Sequence, residues 1–175
     1  MSSQNEVAIL DFGSQYTHLI ARRVRELGVV SHIYPTDVPA SKLKNAVAII
    51  LSGGPRSLVR DPRLPFDPAI FNLGIPMLGL CYGHQLVADI FGGKVASGTA
   101  REYGLAALNI SPSPIFERVK KKTVVWMSHG DHVEKIPSGF KQIATTGNGS
   151  VAAMADEKKK MYGFQFHPEV AHSKE

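Results

Sequence analysis

A single cysteine in 175 residues excludes an internal disulfide and fits a reducing compartment. No apolar run approaches the length of a bilayer span; the longest, residues 46–51, is far too short. The sequence opens Met-Ser-Ser-Gln-Asn-Glu, with no basic segment leading into an apolar one. The expectation is a cytoplasmic protein with no secretory signal and no membrane association. Acidic residues are outnumbered by basic ones, giving a net charge of +5, and much of the surplus lies at residues 120–122 and 158–160. Neither lysine run has interleaved aromatics or a nucleic-acid motif around it, so both read as solvated loops and no nucleic-acid partner is expected. With 43% hydrophobic and 20% charged residues, the chain has the composition of one ordinary globular domain over residues 1–175.

What is present is a run of short apolar segments punctuated by glycine and proline. Val7 to Asp11 reads as a buried strand, followed by a helix in which Tyr16, Leu19, Ile20, Val24 and Leu27 recur at helical spacing and Gly28 supplies the stop. Val29 to Tyr34, Ala46 to Leu51 and Met77 to Leu80 read as further strands. Short helices are expected near Ser41 to Asn45 and over Pro68 to Leu73, and a longer one after Cys81 that Gly92-Gly93 closes. Near-continuous apolar strands alternating with helices indicate an α/β fold: an open, doubly wound, mostly parallel sheet with helices on both faces. The second half offers strands at Leu105 to Ile110, Thr123 to Met127, Phe140 to Thr145, Val151 to Ala155 and Met161 to Phe166, with turns between them. These suggest a small antiparallel extension.

The one cysteine sits where chemistry is expected. Gly79-x-Cys81-x-Gly83 is the nucleophile-elbow frame with cysteine in place of serine, at a strand-to-helix turn. Unpaired N–H groups at a helix start stabilise a thiolate. The competing reading is an inert buried thiol, and the frame argues against it. A base must come from elsewhere among seven histidines. His167 ends the Tyr162-Gly163-Phe164-Gln165-Phe166 strand, and Glu169 lies two residues on, able to hold the far ring nitrogen. His18, His32, His84 and His172 have no such acid at a strand end and read as structural. Attack on an amide creates an oxyanion that needs fixed N–H donors. Elbow geometry gives one to Tyr82. The Ser52-Gly53-Gly54-Pro55 loop after the preceding strand suits the other, and it lacks the spacing of a phosphate loop.

Gly79-Leu-Cys81-Tyr-Gly83-His-Gln85, Ser52-Gly-Gly54-Pro and Phe166-His167-Pro168-Glu169, in that family's order, resemble the class I glutamine amidotransferases, whose fold is flavodoxin-like. Asp11-Phe-Gly-Ser-Gln-Tyr16, Arg101-Glu-Tyr-Gly104 and Trp126-Met-Ser-His-Gly-Asp131 resemble the branch of that family found in GMP synthetases. The resemblance implies that Cys81 attacks the glutamine side-chain amide and holds a γ-glutamyl thioester, that His167 moves protons, and that Glu169 orients it. It implies oxyanion donors at Gly54 and Tyr82. Glutamine-binding roles follow for Gln85, Ser128, Gly130 and Asp131, although the Ser128-to-Asp131 segment on its own reads as a β-turn. Arg101 and Glu102 match positions suited to a domain interface. No metal or cofactor is implied for this domain. ATP and magnesium belong to an ATP pyrophosphatase (synthetase) partner that adenylates XMP and aminates it to GMP, and no motif of that partner is found here.

In the family, the His-Pro-Glu segment is usually followed by a threonine-glycine stretch and a closing helix, whereas this sequence ends at Glu175. The expectation is a domain cut from a longer chain, monomeric by itself because dimerisation belongs to another domain. Three other readings stand beside it: an amidotransferase serving another acceptor, such as chorismate or carbamoyl phosphate; a catalytically silent module that binds a synthetase; and a general cysteine hydrolase such as a γ-glutamyl peptidase.

Overall fold

The structure is a computed structural model that describes residues 5–173, with the side chains of residues 99–102 outside the described set. The expectations about the two chain ends and about the Arg101 and Glu102 side chains therefore lie outside the described residues.

The first half alternates as its apolar runs dictate. The elements are β1 (Glu6–Asp11), α1 (Thr17–Glu26), β2 (Val30–Pro35), β3 (Ala46–Leu51), β4 (Met77–Leu80) and α2 (Tyr82–Ile90). The two short helices expected from sequence are 3-10 turns, Ala40–Lys42 and Pro68–Asn72. Segments this short gain too few α-helical hydrogen bonds to offset nucleation. The second half is β5 (Lys94–Ile110), a 3-10 turn at Pro114–Phe116, β6 (Lys122–Lys135), β7 (Lys141–Thr146), β8 (Val151–Asp156) and β9 (Met161–Phe164).

Among the described residues, nine strands form one sheet in the order β2-β1-β3-β4-β9-β8-β7-β5-β6. Pairing is parallel from β2 to β9 and antiparallel from β9 to β6. Strand alternation sends Val7 and Ile9 of β1 to a core shared with Ile20 and Ala21 of α1. Ala8 and Leu10 go to the opposite core, with Leu86, Val87 and Ala88 of α2. The helices therefore cover both faces, as expected of strands that are apolar on both sides.

The antiparallel part is much larger than expected. β5 begins eleven residues before Leu105 (94 against 105), and β6 runs to Lys135 rather than Met127. Beyond the Leu108-to-Ile110 pairing with β7 and one isolated bridge from Trp126 to His167, these two strands pair with each other. The β5 side of this arm carries Lys94, Ser97, Arg101 and Glu102 in place of the unbroken apolar run of a core strand. The Ser128-to-Asp131 segment lies inside β6, which corrects the β-turn reading. Val125, Met127, His129, Asp131 and Val133 alternate inward along it, and the two polar members of that row made it look like a turn.

The far edge of the sheet returns toward its middle. His167, just past β9, bridges Trp126 of β6, with its N–H donating to the Trp126 carbonyl at 3.1 Å. The loops after β1, β3, β4 and β9 thus meet β6 at one place, the carboxyl edge of the parallel strands, where open α/β sheets carry their sites.

Close packing at the elbow sets its glycines. A Cβ at Gly83 would lie 2.8 Å from Leu51 Cβ and nearer still to the Leu51 carbonyl; one at Gly79 would lie 2.7 Å from the His84 nitrogen. Gly79→Ala is therefore expected to destabilise the fold by about 2–3 kcal/mol, the range of overpacked cores. Urea unfolding of native and variant chains measures this, and a cost near zero would contradict the packing account.

Candidate functional site

Cys81 occupies the junction of β4 and α2 with φ 51° and ψ −104°. A left-handed φ in a residue with a Cβ costs on the order of 1–3 kcal/mol and persists only where its surroundings impose it. Here they do: the Cys81 N–H donates to the Phe164 carbonyl at 2.7 Å, and the next residue already starts the helix. Cys81 is nearly buried, and its Sγ lies 3.6 Å from the Ser128 carbonyl.

His167 and Glu169 are both buried, and His167 Nδ1 lies 2.8 Å from Glu169 Oε1. A carboxylate only accepts, so Nδ1 carries a proton and Nε2 is left to face the other way. Tyr16 closes one side of the ring, edge-on at 5.2 Å. Gly53 closes another, since a Cβ there would sit 3.0 Å from His167 Cε1 and 3.5 Å from Cys81 Cβ. The main chain of His167 is held twice, by Trp126 O as above and by Ser173, whose Oγ donates to His167 O at 2.6 Å. Burial lowers the ring's affinity for a proton, but hydrogen bonds with Cys81 and Glu169 and their negative charge outweigh it and raise the His167 pKa to about 10. His84, wholly buried on α2, goes the other way: desolvation, with repulsion from His129, lowers it to about 3, so it stays neutral.

The loop after β3 is fastened from below. Ser52, fully buried, accepts from the Phe12 N–H at 2.9 Å and donates to the Gly53 carbonyl at 2.8 Å. Gly54 and Tyr82, the expected oxyanion donors, both line a cavity of about 560 Å³ that opens onto Cys81 and His167. The Tyr82 N–H is the first of α2 and has no carbonyl one turn earlier within the helix.

Gln85, Ser128, Gly130 and Asp131 line the same cavity. Their contacts are specific. Gln85 Nε2 donates to the Asp131 backbone carbonyl at 2.8 Å. The Asp131 carboxylate accepts from Ser57 Oγ at 2.6 Å and Ser97 Oγ at 3.0 Å, tying the loop after β3 to β5 and β6. Ser57, Ser97, Tyr16 and Gln165 were given no role in the site from sequence. The serines have no local signal, because their partners are tens of residues away. Gln165 had one: it is the lone polar side chain between Phe164 and Phe166 in a buried segment. Of the histidines read as structural, His32 pairs with Glu6, and His172 packs on the Trp126 ring at 4.9 Å. Among the described residues, no cluster of three or more His, Cys, Asp or Glu is arranged to hold a metal ion.

A family model for glutamine amidotransferase class-I matches residues 8–175. The chain belongs to that family. This amidotransferase chain is 53% identical to a GMP synthase [glutamine-hydrolyzing] of Maridesulfovibrio salexigens, over 99% of its own length and 35% of the relative's. It is 49% identical to the enzyme of that name from Geobacillus kaustophilus, over 98% of its own length and 34% of the relative's. It thus spans about a third of the curated relatives it matches. Among solved structures, a Thermoplasma acidophilum protein, provisionally named as one subunit of GMP synthase, superposes with a TM-score of 0.85 at 27% identity, covering 99% of this chain and 89% of that one. A glutamine amidotransferase of Thermotoga maritima shares the fold, with a TM-score of 0.77 at 22% identity over 95% of this chain and 77% of that one. No helix among the described residues is long and apolar enough to cross a membrane.

The raised His167 pKa has a consequence for stability. An unfolded chain gives up this proton near 6.5, whereas the folded one keeps it to about 10. The stabilisation from the charged ring is therefore full below about pH 6.5 and is lost as pH rises through 10. His167→Gln is expected to cost more stability near neutral pH than above pH 10, as read by urea unfolding at each pH. An equal cost at both would mean that the ring is uncharged in the fold.

Proposed function

We propose that the chain hydrolyses the side-chain amide of L-glutamine and supplies the ammonia to a synthetase that converts XMP to GMP. The observation that carries the reading is the His167–Glu169 couple, at 2.8 Å, set beside the only cysteine of the chain on a strained strand-to-helix turn. Family membership and the names of the relatives support the substrate and the acceptor.

In this reading the Cys81 thiolate attacks the amide carbon of glutamine, and the N–H groups of Gly54 and Tyr82 receive the charge that forms on oxygen. His167 gives its proton to the departing nitrogen, the C–N bond breaks, and ammonia and a γ-glutamyl thioester remain. His167 then takes a proton from water as the water attacks the thioester carbon. The C–S bond breaks, glutamate leaves, and sulfur returns as thiolate beside the protonated imidazole. Glu169 fixes the ring tautomer throughout and stabilises the imidazolium. Gln85, Ser128, Gly130 and Asp131 form the cavity wall for the amino-acid end of the substrate. No cofactor enters this half-reaction. The synthetase part, as a further domain or on a separate chain, uses ATP with magnesium to activate XMP, and the whole works in the cytoplasm.

A glutamine-like chloroketone should modify one site, the peptide containing Cys81, and leave a Cys81→Ser chain unlabelled. Mass mapping reads this, and labelling of the variant would sink the assignment. His167→Ala should lower kcat for glutamine by about 10²–10⁴-fold, the usual weight of a general acid–base. Ammonia release by the chain alone should be slow and should rise when the synthetase part, XMP and ATP are added. Fast, partner-independent turnover of many amides would favour a general hydrolase instead.

A further inference from the structure

Gln165 follows β9 directly, is 1% exposed, and has no part in the chemistry above. Register brings it to the nucleophile. Leu80 pairs with Phe164 in the parallel β4–β9 ladder, so the next residues along, Cys81 and Gln165, leave the sheet side by side. A side-chain amide has a donating end and an accepting end, and which end faces the sulfur decides what it does there.

The surroundings leave one choice. The backbone carbonyl of Asp131 can only accept, so Gln85 turns its Nε2 to it, at 2.8 Å. That nitrogen carries a second hydrogen, buried, which needs an acceptor of its own. The Oε1 of Gln165 provides it at 3.2 Å. With its oxygen committed to Gln85, Gln165 presents Nε2 on its other side, where Cys81 Sγ lies 3.7 Å away. The orientation of the amide at the sulfur is thus set by a carbonyl two side chains distant. The sulfur also has a contact of the opposite kind, the Ser128 carbonyl at 3.6 Å, which can hold only the S–H form. An acceptor favours the thiol and a donor favours the thiolate.

We propose that Gln165 is a donor to the nucleophile: its side-chain N–H holds Cys81 Sγ as a thiolate, in a direction fixed by the relay from Asp131 O through Gln85. The proposal rests on the reading of Cys81 as the nucleophile and deepens it. When the proton leaves sulfur, the Ser128 contact loses its hydrogen and the Gln165 N–H remains. In the thioester the sulfur is uncharged and that bond weakens; it is regained when glutamate departs, so the same donor favours the leaving group. The other titratable or charged groups around the sulfur and its cavity are His167 with Glu169 behind it, from the segment after β9, together with Tyr16 ahead of α1, Arg56 and Arg60 after β3, Tyr82 and His84 on α2, Tyr103 on β5, and His129 and Asp131 on β6. Changes at Gln165 leave all of them in place.

Because Cys81 is the only cysteine, the rate of alkylation by iodoacetamide against pH reads its titration with no glutamine present. In Gln165→Met, which keeps the length and removes the donor, the midpoint should rise by about one unit, and in Gln165→Glu, which adds a negative charge, by more. Gln85→Met leaves the sulfur's neighbours intact but frees the Gln165 amide to turn, and should give a smaller rise in the same direction. In the two Gln165 variants glutamine turnover should fall through kcat with KM nearly unchanged. A purely structural glutamine would lower the unfolding midpoint and leave the alkylation profile where it was. That result, in any of the three variants that still unfolds cooperatively, would overturn the proposal. If the profile shifts as expected in a chain that releases no ammonia from glutamine, the donor stands and the glutaminase reading falls.

Discussion

The hydrogen bond from the Cys81 N–H to the Phe164 carbonyl, 2.7 Å long, is the contact on which the rest of the site depends. It continues the parallel ladder between β4 and β9 by one step and so joins two chain segments that the sequence keeps far apart. Beyond that step, β4 must turn sharply into α2, which drives Cys81 to φ 51°. The turn in turn requires bare backbone at Gly79 and Gly83, because the start of α2 presses against Gly79 and Leu51 against Gly83. The conformational cost at Cys81 is met by the packing of two cores, one on each face of the sheet.

A second constraint holds His167, the proposed base. An imidazole at a strand end would swing freely if its strand simply stopped. Here the sheet turns back on itself so that Trp126 of β6 accepts the His167 N–H, and Ser173 grips the next carbonyl. The ring is then held between Glu169, Tyr16 and Gly53, which leaves its remaining nitrogen the direction of the sulfur. β6 also contributes the Ser128-to-Asp131 wall of the cavity. The antiparallel half of the molecule is thus the part that closes a site around Cys81.

Legibility in the sequence follows the range of the interactions. β1, β3 and β4 could be read almost to the residue, since strands buried on both faces leave unbroken apolar runs. The outer halves of β5 and β6 could not, because a two-stranded arm is stabilised by its own ladder and carries polar residues throughout. Ser128-His129-Gly130-Asp131 is composed of turn formers and still lies in a strand: its inward Asp131 is satisfied by Ser57 and Ser97, which no local pattern predicts. For the site, Cys81 is marked by its glycine frame, and His167 and Glu169 by being two residues apart at a strand end. The serines on Asp131 and the Tyr16 contact arise from register and closure and are visible only once the chain is folded, whereas Gln165 left one trace, a polar side chain between two buried phenylalanines.

The account's central claim is that Cys81 carries the glutamyl group in mid-reaction. Mixing the chain with glutamine, quenching in acid within one turnover and mapping the peptides tests it most directly. The account predicts that the Cys81 peptide gains the mass of one γ-glutamyl group and loses it to hydroxylamine, as a thioester does. Release of ammonia with no adduct on that peptide, at a rate that Cys81→Ala leaves undiminished, would contradict it.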